Sequence, residues 1–307
     1  MSLIDGKLRG IVVATTTPFS ADGRVCKQSL QNHVDYLIGQ GAAGLAPLGG
    51  TGEYPALSSQ ERIQVVEWTC EAARSRVPVI AGVLATGYND AIYAGQQAKK
   101  AGADAVMLVT PFYTIGEDEG VYEYFANFQK AIGIPIILYE IPRRTNVELS
   151  AEIIAKMAND GVIVGMKYCG LKIDKLIRIV QLAGDKLSIL SGEESLFLAH
   201  LAIGAKGGVL AVANLDPGVW INMQSLVEQG QMAEAIELQA KYSALISAIY
   251  SEMNPIGLKV AMRAIGLEHT GSVRLPLTPA KNTTVNNVMK ALADSGMAKN
   301  IKTITEH

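Results

Sequence analysis

Short apolar segments alternate with longer stretches of helical periodicity from the start of the chain to about residue 229. Eight of the apolar segments are predicted to be strands, at residues 10–15, 43–48, 77–83, 104–109, 134–139, 162–167, 187–191 and 207–212. Most of them are continuously apolar rather than alternating, which is typical of parallel strands covered on both faces. The pattern therefore predicts a parallel sheet with a helix after each strand.

The helical segments between the strands carry start signals. Ser58 and Glu61 have the spacing of a capping box. Asn89 and Ser150 are predicted to cap the helices that follow the third and fifth strands. Repeated strand–helix units predict an α/β fold, the (β/α)8 TIM barrel. A doubly wound open sheet is the competing arrangement, and eight consistent units favour closure.

The strand pattern stops near residue 230. Apolar side chains at helical spacing then form one face: Ala235, Leu238, Tyr242, Leu245 and Ile249. Further helices are predicted near residues 254–266 and 280–295. We therefore expect two parts, a barrel over residues 1–229 and a C-terminal helical extension over residues 230–307 that packs on it.

Composition excludes several classes of function. Hydrophobic residues make up 49% of the 307 residues and charged residues 18%, which allows a large core. A net charge of −2 with mixed signs gives no basic surface for nucleic acid. The longest apolar runs have the length of strands, well short of the roughly 20 residues of a membrane helix. We expect neither nucleic acid nor a membrane as a partner.

The cysteines and histidines predict no metal site. Cys26, Cys70 and Cys169 are widely spaced, which indicates a reducing, cytoplasmic compartment rather than a disulfide framework. The first residues, MSLIDGKLRG, lack the apolar segment of a signal peptide. The histidines never approach metal-ligand spacing, and they stand at positions 33, 200, 269 and 307.

In barrel enzymes the chemistry lies at the carboxyl ends of the strands. The corresponding segments here are TTTPF (15–19), GGTGE (49–53), TGY (86–88), TPFY (110–113), YEIPRRT (139–145), KYCG (167–170), SGE (191–193) and AVAN (211–214). They supply hydroxyl groups, one lysine and a pair of arginines. Histidine and paired carboxylates are missing from the set, so the lysine becomes the candidate reactive group.

Lys167 closes the apolar run GVIVGMK, where an unpaired charge is costly. Desolvation is expected to lower the pKa of its amine towards neutrality, which suits a nucleophile that attacks a carbonyl. A lysine that reaches out of the barrel rim or pairs with a glutamate is the alternative. The position thus predicts a catalytic lysine or a structural one.

Three further side chains at the strand ends suit the chemistry of a Schiff base. Tyr113 and Tyr139 could move protons, although buried tyrosines often serve packing alone. Arg144 could hold a carboxylate through its two-pronged donor geometry, whereas the neighbouring Arg143 is expected to form a salt bridge on the rim.

The turn at residues 49–53 has the composition of an anion site. Gly50 and its neighbouring glycines allow a tight turn, and Thr51 with free backbone N–H groups could bind a small carboxylate. Phosphate is the rival anion, and barrels usually bind it after the seventh and eighth strands. The loop after the seventh strand reads SGEES and is acidic, so phosphate is disfavoured.

Taken together, these motifs resemble the dihydrodipicolinate synthase / N-acetylneuraminate lyase family of class I pyruvate aldolases. The resemblance covers nearly the whole chain, and it rests on TPF (17–19), GGTGEYPALSSQER (49–62), TPFY (110–113), YEIPRRT (139–145) and GMK (165–167). It implies that Lys167 forms a Schiff base with pyruvate or another 2-oxo acid, that Tyr139 is the general acid and base, and that the turn holds the pyruvate carboxylate.

The resemblance also implies an assembly and a substrate site. The expected oligomer is a homotetramer built as a dimer of dimers, in which Tyr113 reaches across the interface into the neighbouring site. Gly50, Thr51, Arg144 and Leu210 are expected to bind the substrate. We expect no cofactor.

Arg144, NPIGLK (254–259) and RLPLTP (274–279) favour the synthase branch, which condenses pyruvate with aspartate semialdehyde. Gly50 departs from that branch, because the synthases carry a threonine there whose hydroxyl links two tyrosines in a proton relay. Glu140 and the short KYCG segment also depart, and we expect both to alter the wall of the second substrate's site.

Three functions therefore remain open. A synthase-like condensation is the first. The second is a 2-keto-3-deoxy sugar acid aldolase or dehydratase, which the GGTGE turn resembles. The third is a descendant that binds a 2-oxo acid without catalysis.

Overall fold

The computed structural model describes residues 8–267 and 271–297. Eight parallel strands form one sheet in the order β2-β1-β8-β7-β6-β5-β4-β3. A parallel bridge from Leu45 to Val79 joins β2 to the residue that precedes β3. The strands are β1 (Gly10–Val13), β2 (Gly44–Leu45), β3 (Ile80–Val83), β4 (Ala105–Val109), β5 (Ile136–Glu140), β6 (Gly165–Tyr168), β7 (Ser188–Ser191) and β8 (Gly207–Leu210).

Helices connect the strands along the barrel and continue beyond the last strand. They are α1 (Lys27–Gly39), α2 (Ser59–Ala73), α3 (Tyr88–Lys100), α4 (Asp118–Ile132), α5 (Pro142–Thr145), α6 (Ala151–Asn159), α7 (Ile173–Ala183), α8 (Phe197–Ile203), α9 (Pro217–Glu228), α10 (Met232–Ile249), α11 (Ile256–Ala264) and α12 (Asn282–Ser295). The predicted (β/α)8 TIM barrel is confirmed, and the open sheet is excluded.

Strand residues alternate between two buried layers. One apolar cluster fills the barrel interior and includes Val12, Met107 and Ile137, while a larger cluster lies between the strands and the helices. Because both faces of each strand are covered, the strands are continuously apolar in sequence. The same alternation decides which side chains at the strand ends face the barrel interior.

The second strand is much shorter than its apolar run, and its end shapes the region before the GGTGE turn. Pro47 has no N–H to donate, and Leu48 takes a positive φ of 63°. The chain here passes very close to β3, where the Gly82 N–H donates to the Pro47 carbonyl over 2.8 Å. A β-carbon at Gly82 would lie 2.3 Å from the Leu48 carbonyl oxygen, so the contact requires glycine.

The helix caps agree with two of the three sequence predictions. Ser58 and Glu61 form the complete capping box of α2, and the Ser150 side chain accepts a hydrogen bond from the Ile153 N–H of α6. The prediction for Asn89 is wrong. Helix α3 already begins at Tyr88, after the extended residue Gly87, so Asn89 has helical geometry and cannot cap it.

The C-terminal helices α10, α11 and α12 follow the barrel. The predicted apolar face of α10 is buried at Ala235, Tyr242, Leu245 and Ile249, with Leu238 partly buried. Helix α9 ends at Glu228 and α10 begins at Met232, and the division between residues 229 and 230 stays a prediction. Within the described part of the chain, no helix combines the length and the apolar character needed to cross a membrane.

Candidate active site

A cavity of about 630 Å³ opens at the carboxyl ends of the strands. The strand ends and their loops provide part of its wall: Gly50, Thr51, Tyr139, Ile141, Arg143, Arg144, Lys167, Cys169, Leu171, Gly192, Glu193, Glu194, Ser195 and Ala211. The segment around the end of α10 provides the rest: Ile246, Ser247, Tyr250, Ser251, Glu252, Met253 and Asn254. The cavity thus joins the barrel to the C-terminal extension.

Lys167 lies within this cavity and is 6% exposed. Strand pairing places it directly beside Tyr139, its register partner in β5. Its Nζ lies 4.7 Å from the centre of the Tyr139 ring. Gly192 keeps the space beside it open, because a β-carbon there would lie 2.9 Å from Cε of Lys167. Within the described residues, Nζ makes no hydrogen bond or ion pair, so the alternative of a lysine paired with a glutamate does not hold.

The acid groups around Lys167 determine its charge. Burial is the largest single influence on the pKa of Lys167 and acts to lower it. Its acidic neighbours, Tyr139 first, then Cys169, Glu194 and Glu193, together act in the opposite direction, so the pKa of Lys167 lies above its ordinary value. The expectation of a lowered pKa is therefore wrong, because the acidic neighbours taken together outweigh the effect of burial. The amine must lose a proton before it can attack a carbonyl.

Tyr139 and Cys169 both remain protonated near neutral pH. Burial raises the pKa of the Tyr139 hydroxyl, although the neighbouring Lys167 acts in the opposite direction. Burial likewise raises the pKa of the Cys169 thiol to about 12. Tyr139 can therefore donate a proton beside the lysine, while Cys169 is too weak an acid to act as a thiolate nucleophile.

The small-residue turn lies in the same cavity. Thr51 is 3% exposed, and its Oγ1 accepts a hydrogen bond of 2.9 Å from Nδ2 of Asn254. Since that bond uses only an acceptor lone pair, the Thr51 hydroxyl proton stays available for an anion. Thr17 holds the turn from below through a bond of 2.7 Å from its Oγ1 to the Gly52 carbonyl.

The two arginines of the loop after β5 have different surroundings. Arg143 forms an ion pair with Glu193, as predicted for a rim salt bridge. Arg144 makes no ion pair within residues 8–267 and 271–297, and its Nη1 lies 3.5 Å from the position of a β-carbon at Gly50. An unpaired guanidinium therefore lies beside the turn, where it can accept a carboxylate.

Two predicted site residues do not meet the others. Tyr113 is not among the described residues that line the cavity. Its side chain is 94% exposed, and its backbone has a positive φ of 74°. Leu210 belongs instead to the cluster between strands and helices, because alternation along β8 turns its neighbour Val209 into the barrel. The structure thus does not bring the Leu210 side chain to the substrate cavity.

Glu140 corrects another expectation. It follows Tyr139 on β5 and therefore points to the outer face of the barrel, where it accepts hydrogen bonds from Lys175 Nζ at 2.5 Å and the Leu149 N–H at 3.0 Å. Its side chain is fully buried. Glu140 supports the loop between β5 and α6 rather than the wall of the substrate site, so that expectation is wrong.

Sequence reasoning missed several residues of the cavity, chiefly Glu194, Tyr250 and Asn254. Glu194 stands in the loop SGEES, whose acidic composition disfavours phosphate but does not indicate which of its side chains faces the cavity. Tyr250 and Asn254 lie beyond the barrel, in a segment where helical periodicity gives no signal for a residue that faces a distant cavity. Their hydrogen bonds to Glu194 and Thr51 connect them to the cavity, and these contacts cannot be read from the sequence.

The described residues also contain no group of three His, Cys, Asp or Glu side chains arranged to hold a metal ion. His33 is buried beside Asn214, and His200 is buried beside Ser191. His269 and His307 lie outside the described residues. The polar groups that line the cavity include the Lys167 amine, the Tyr139 and Thr51 hydroxyls and the Arg144 guanidinium.

A TIM barrel with a buried lysine beside a tyrosine defines the class of the aldolase-type lyases that work through a Schiff base. The sequence model of the Dihydrodipicolinate synthetase family matches residues 7–295. The chain belongs to this family.

Similar proteins agree with that assignment. A 4-hydroxy-tetrahydrodipicolinate synthase from Nitrobacter hamburgensis is 38% identical over 292 residues, which cover 95% of this chain and 98% of that protein. The crystal structure of dihydrodipicolinate synthase from Aquifex aeolicus has a TM-score of 0.90 at 32% identity, covering 95% of this chain and 100% of that one. A monomeric dihydrodipicolinate synthase variant has a TM-score of 0.92 at 29% identity, covering 97% and 99%.

Proposed function

We propose that this protein is a Schiff-base-forming lyase that condenses pyruvate with an aldehyde such as aspartate semialdehyde. The neutral amine of Lys167 attacks C2 of pyruvate, and loss of one water molecule leaves an imine between Nζ and C2. The observation that carries this proposal is the lysine itself, buried in a substrate-sized cavity with its Nζ 4.7 Å from the Tyr139 ring.

Tyr139 is the proton shuttle of the proposed reaction. The carbinolamine that precedes the imine must gain a proton on its hydroxyl before water can leave. The enamine step then removes a proton from C3 of the bound pyruvate. A phenol whose pKa is raised by burial is a proton donor at neutral pH, and its oxygen can take the proton back after donation.

Two groups of the cavity are proposed to hold the carboxylates of the two substrates. Thr51 and the backbone at Gly50 are proposed to hold the pyruvate carboxylate, since the Thr51 hydroxyl proton is available. Arg144 is proposed to hold the carboxylate of the acceptor aldehyde. The relatives named as 4-hydroxy-tetrahydrodipicolinate synthases support this choice of reaction.

Borohydride trapping tests the proposal. The protein is incubated with pyruvate, reduced, digested and mapped by mass spectrometry. We expect a reduced pyruvyl adduct on the peptide that contains Lys167. The absence of an adduct with every 2-oxo acid tested would overturn the proposal and favour a descendant that only binds such an acid.

Gly50 favours a second candidate, a 2-keto-3-deoxy sugar acid aldolase or dehydratase. This residue removes the hydroxyl on which the synthases' relay depends and leaves the space beside Arg144 open. Both candidates share the imine on Lys167 and differ in the second substrate. Turnover assays with aspartate semialdehyde and with 2-keto-3-deoxy sugar acids distinguish them.

We further propose a homotetramer in the cytoplasm, in which Tyr113 completes the active site of a neighbouring subunit. The exposed position of its ring is compatible with a contact across an interface. One structural neighbour is a monomeric variant, so the assembly has to be measured. Sedimentation velocity would give a single tetrameric species if the proposal holds, and a monomer would contradict it.

A further inference from the structure

One wall of the active-site cavity comes from the C-terminal extension and carries its own polar groups. Tyr250, at the end of α10, lines the cavity together with Asn254. From the barrel side, Glu194 lines the same cavity in the loop after β7. Tyr250 itself has no role in forming the proposed imine.

Glu194 is held in one orientation by the end of β8. Its Oε1 accepts hydrogen bonds from the N–H groups of Ala211, at 2.6 Å, and Val212, at 2.9 Å. The carboxylate is 2% exposed. Its second oxygen, Oε2, accepts the hydroxyl proton of Tyr250 over 2.8 Å. A buried carboxylate with both oxygens occupied is a fixed acceptor, so it determines how the tyrosine hydroxyl points.

This arrangement gives the Tyr250 hydroxyl a defined polarity. Its single proton is committed to Glu194, and the oxygen keeps a lone pair that can accept a hydrogen bond. Burial and the charge of Glu194 raise the pKa of Tyr250 well above its ordinary value, so the hydroxyl does not ionise. Tyr250 is therefore a permanent acceptor towards the cavity rather than a base.

Asn254 adds a second acceptor on the same wall. Its Nδ2 donates to Thr51, and its buried Oδ1 has no hydrogen-bond partner among the described residues. A buried amide oxygen without a partner is costly, and a ligand donor would relieve that cost. Tyr250 and Asn254 thus bring two hydrogen-bond acceptors to the part of the cavity lining that follows α10, whereas Arg144 comes from the loop after β5.

We propose that Tyr250, oriented by Glu194, selects acceptor aldehydes that carry a hydrogen-bond donor, either a hydroxyl or an ammonium group. This inference rests on the proposed condensation of pyruvate with an aldehyde. Arg144 would hold a carboxylate, and the Tyr250 wall would recognise the donor. The protein would accordingly discriminate against an aldehyde of the same length that lacks this group.

Two matched pairs of aldehydes test the proposal and separate its two sources of donor. Aspartate semialdehyde and succinate semialdehyde differ by one amino group, and glyceraldehyde and propionaldehyde differ by hydroxyl groups. We expect the wild-type protein to prefer the donor-bearing member of one pair at least, measured as kcat/KM with pyruvate fixed. In Tyr250→Phe that preference should fall about tenfold, the effect of one lost hydrogen bond to a polar or charged group.

Glu194→Gln gives a sharper test, because it reverses the polarity without removing the phenol. The glutamine oxygen can keep the bonds to the backbone at Ala211 and Val212, while its amide group donates to the Tyr250 oxygen. The Tyr250 proton then turns to the cavity, and the preference for donor-bearing aldehydes should vanish or reverse. Tyr242→Phe is the matched control, since Tyr242 lies buried on the same helix and its preference ratio should stay unchanged.

Borohydride trapping on the same variants distinguishes the failure of this inference from the failure of the proposed function. If the pyruvyl adduct forms on Lys167 but Tyr250→Phe and Glu194→Gln keep the wild-type preference, the role of Tyr250 is wrong. A wild-type protein with no preference within either pair overturns it equally. If Lys167 forms no adduct, the proposed condensation itself fails, and this inference fails with it.

Discussion

Two buried lysines of this protein differ in whether their ammonium groups have hydrogen-bond and ion-pair partners. Lys259, on α11, is fully buried, and its Nζ bonds to the carbonyls of Thr17 at 2.7 Å and Ser272 at 2.8 Å. It also pairs with Glu53 Oε1 at 2.8 Å. Lys167, on β6, is nearly as deeply buried, and its Nζ makes no hydrogen bond or ion pair within the described residues.

This difference is what we expect between a structural lysine, Lys259, and the proposed nucleophile, Lys167. A buried ammonium with three acceptors is satisfied and holds its surroundings in place, here the GGTGE turn against the C-terminal extension. A buried amine without an acceptor lowers the stability of the fold. At the edge of a cavity, such a group is a candidate for a functional role. Burial by itself does not reveal function, whereas the pattern of partners does.

The largest effect is expected for Lys167→Ala. Loss of the nucleophile should abolish the pyruvyl adduct and reduce turnover by a factor on the order of 10⁴ or more. The fold should remain intact, because the substitution removes an unpaired charge from the barrel interior. Borohydride trapping, turnover and thermal unfolding measure the three effects.

Lys175→Ala serves as a comparison, since Lys175 is also shielded but pairs with Glu140 on the outer face of the barrel. The Lys175→Ala variant should still form the pyruvyl adduct on Lys167, while its free energy of unfolding should fall. An adduct that survives in Lys167→Ala would show that the nucleophile lies elsewhere. Lys167 would then no longer differ from Lys259 in function.

Lys259→Met should lower the stability of the fold, whereas Lys167→Ala should lower activity and leave the fold intact. Lys259→Met leaves the Glu53 carboxylate buried without its cation, and breaking such a pair costs about 3–5 kcal/mol of unfolding free energy. Urea denaturation measures the loss. A Lys259→Met protein as stable as the wild type would contradict the structural role of this lysine.

A double variant separates charge from packing in that result. Glu53→Gln removes the uncompensated charge, so Lys259→Met with Glu53→Gln should recover part of the lost stability. No recovery would mean that the two carbonyl contacts of Lys259, rather than its ion pair, provide the stabilisation.

Sequence reasoning located one of these lysines and missed the other. Lys167 is visible because it ends a continuously apolar strand, and a barrel gives that position a known meaning. Lys259 lies on a helix whose remaining buried residues are mostly apolar, and its partners Glu53 and Thr17 lie more than 200 positions away in the chain. Periodicity does not predict such distant pairings.

The same limit applies to the site. The strand ends could be placed from the pattern alone, and with them Tyr139, Thr51 and Arg144. The direction of a side chain depends on single-residue register, which boundary uncertainty obscures. The sequence predicts that Leu210 binds the substrate and that Glu140 alters the wall of the second substrate's site, whereas alternation along the strands turns both side chains outward. Tyr250 could be placed at the site only once the path of the C-terminal extension over the barrel was known.

The pH dependence of adduct formation gives an effect of intermediate size. Because acidic groups raise the pKa of Lys167, the neutral amine is the minor form near pH 7. Its fraction, and therefore the initial rate of imine reduction, should increase about tenfold per pH unit between about pH 6 and pH 9. A rate that stays constant over this range would mean that desolvation dominates and that the amine is already neutral.

Position 50 gives the smallest expected effect and tests the remaining difference between the two catalytic candidates. A β-carbon at Gly50 would lie 3.5 Å from Arg144 Nη1, an ordinary contact, so Gly50→Ala should retain near-wild-type adduct formation. Gly50→Thr adds the hydroxyl found in the synthases and should raise condensation with aspartate semialdehyde a few fold. The gain should stay below the roughly 10²-fold or more of a full acid–base group, because Tyr139 is already present. Equal condensation rates in both variants would mean that the turn is shaped for another substrate, and the sugar acid reaction would become the better proposal.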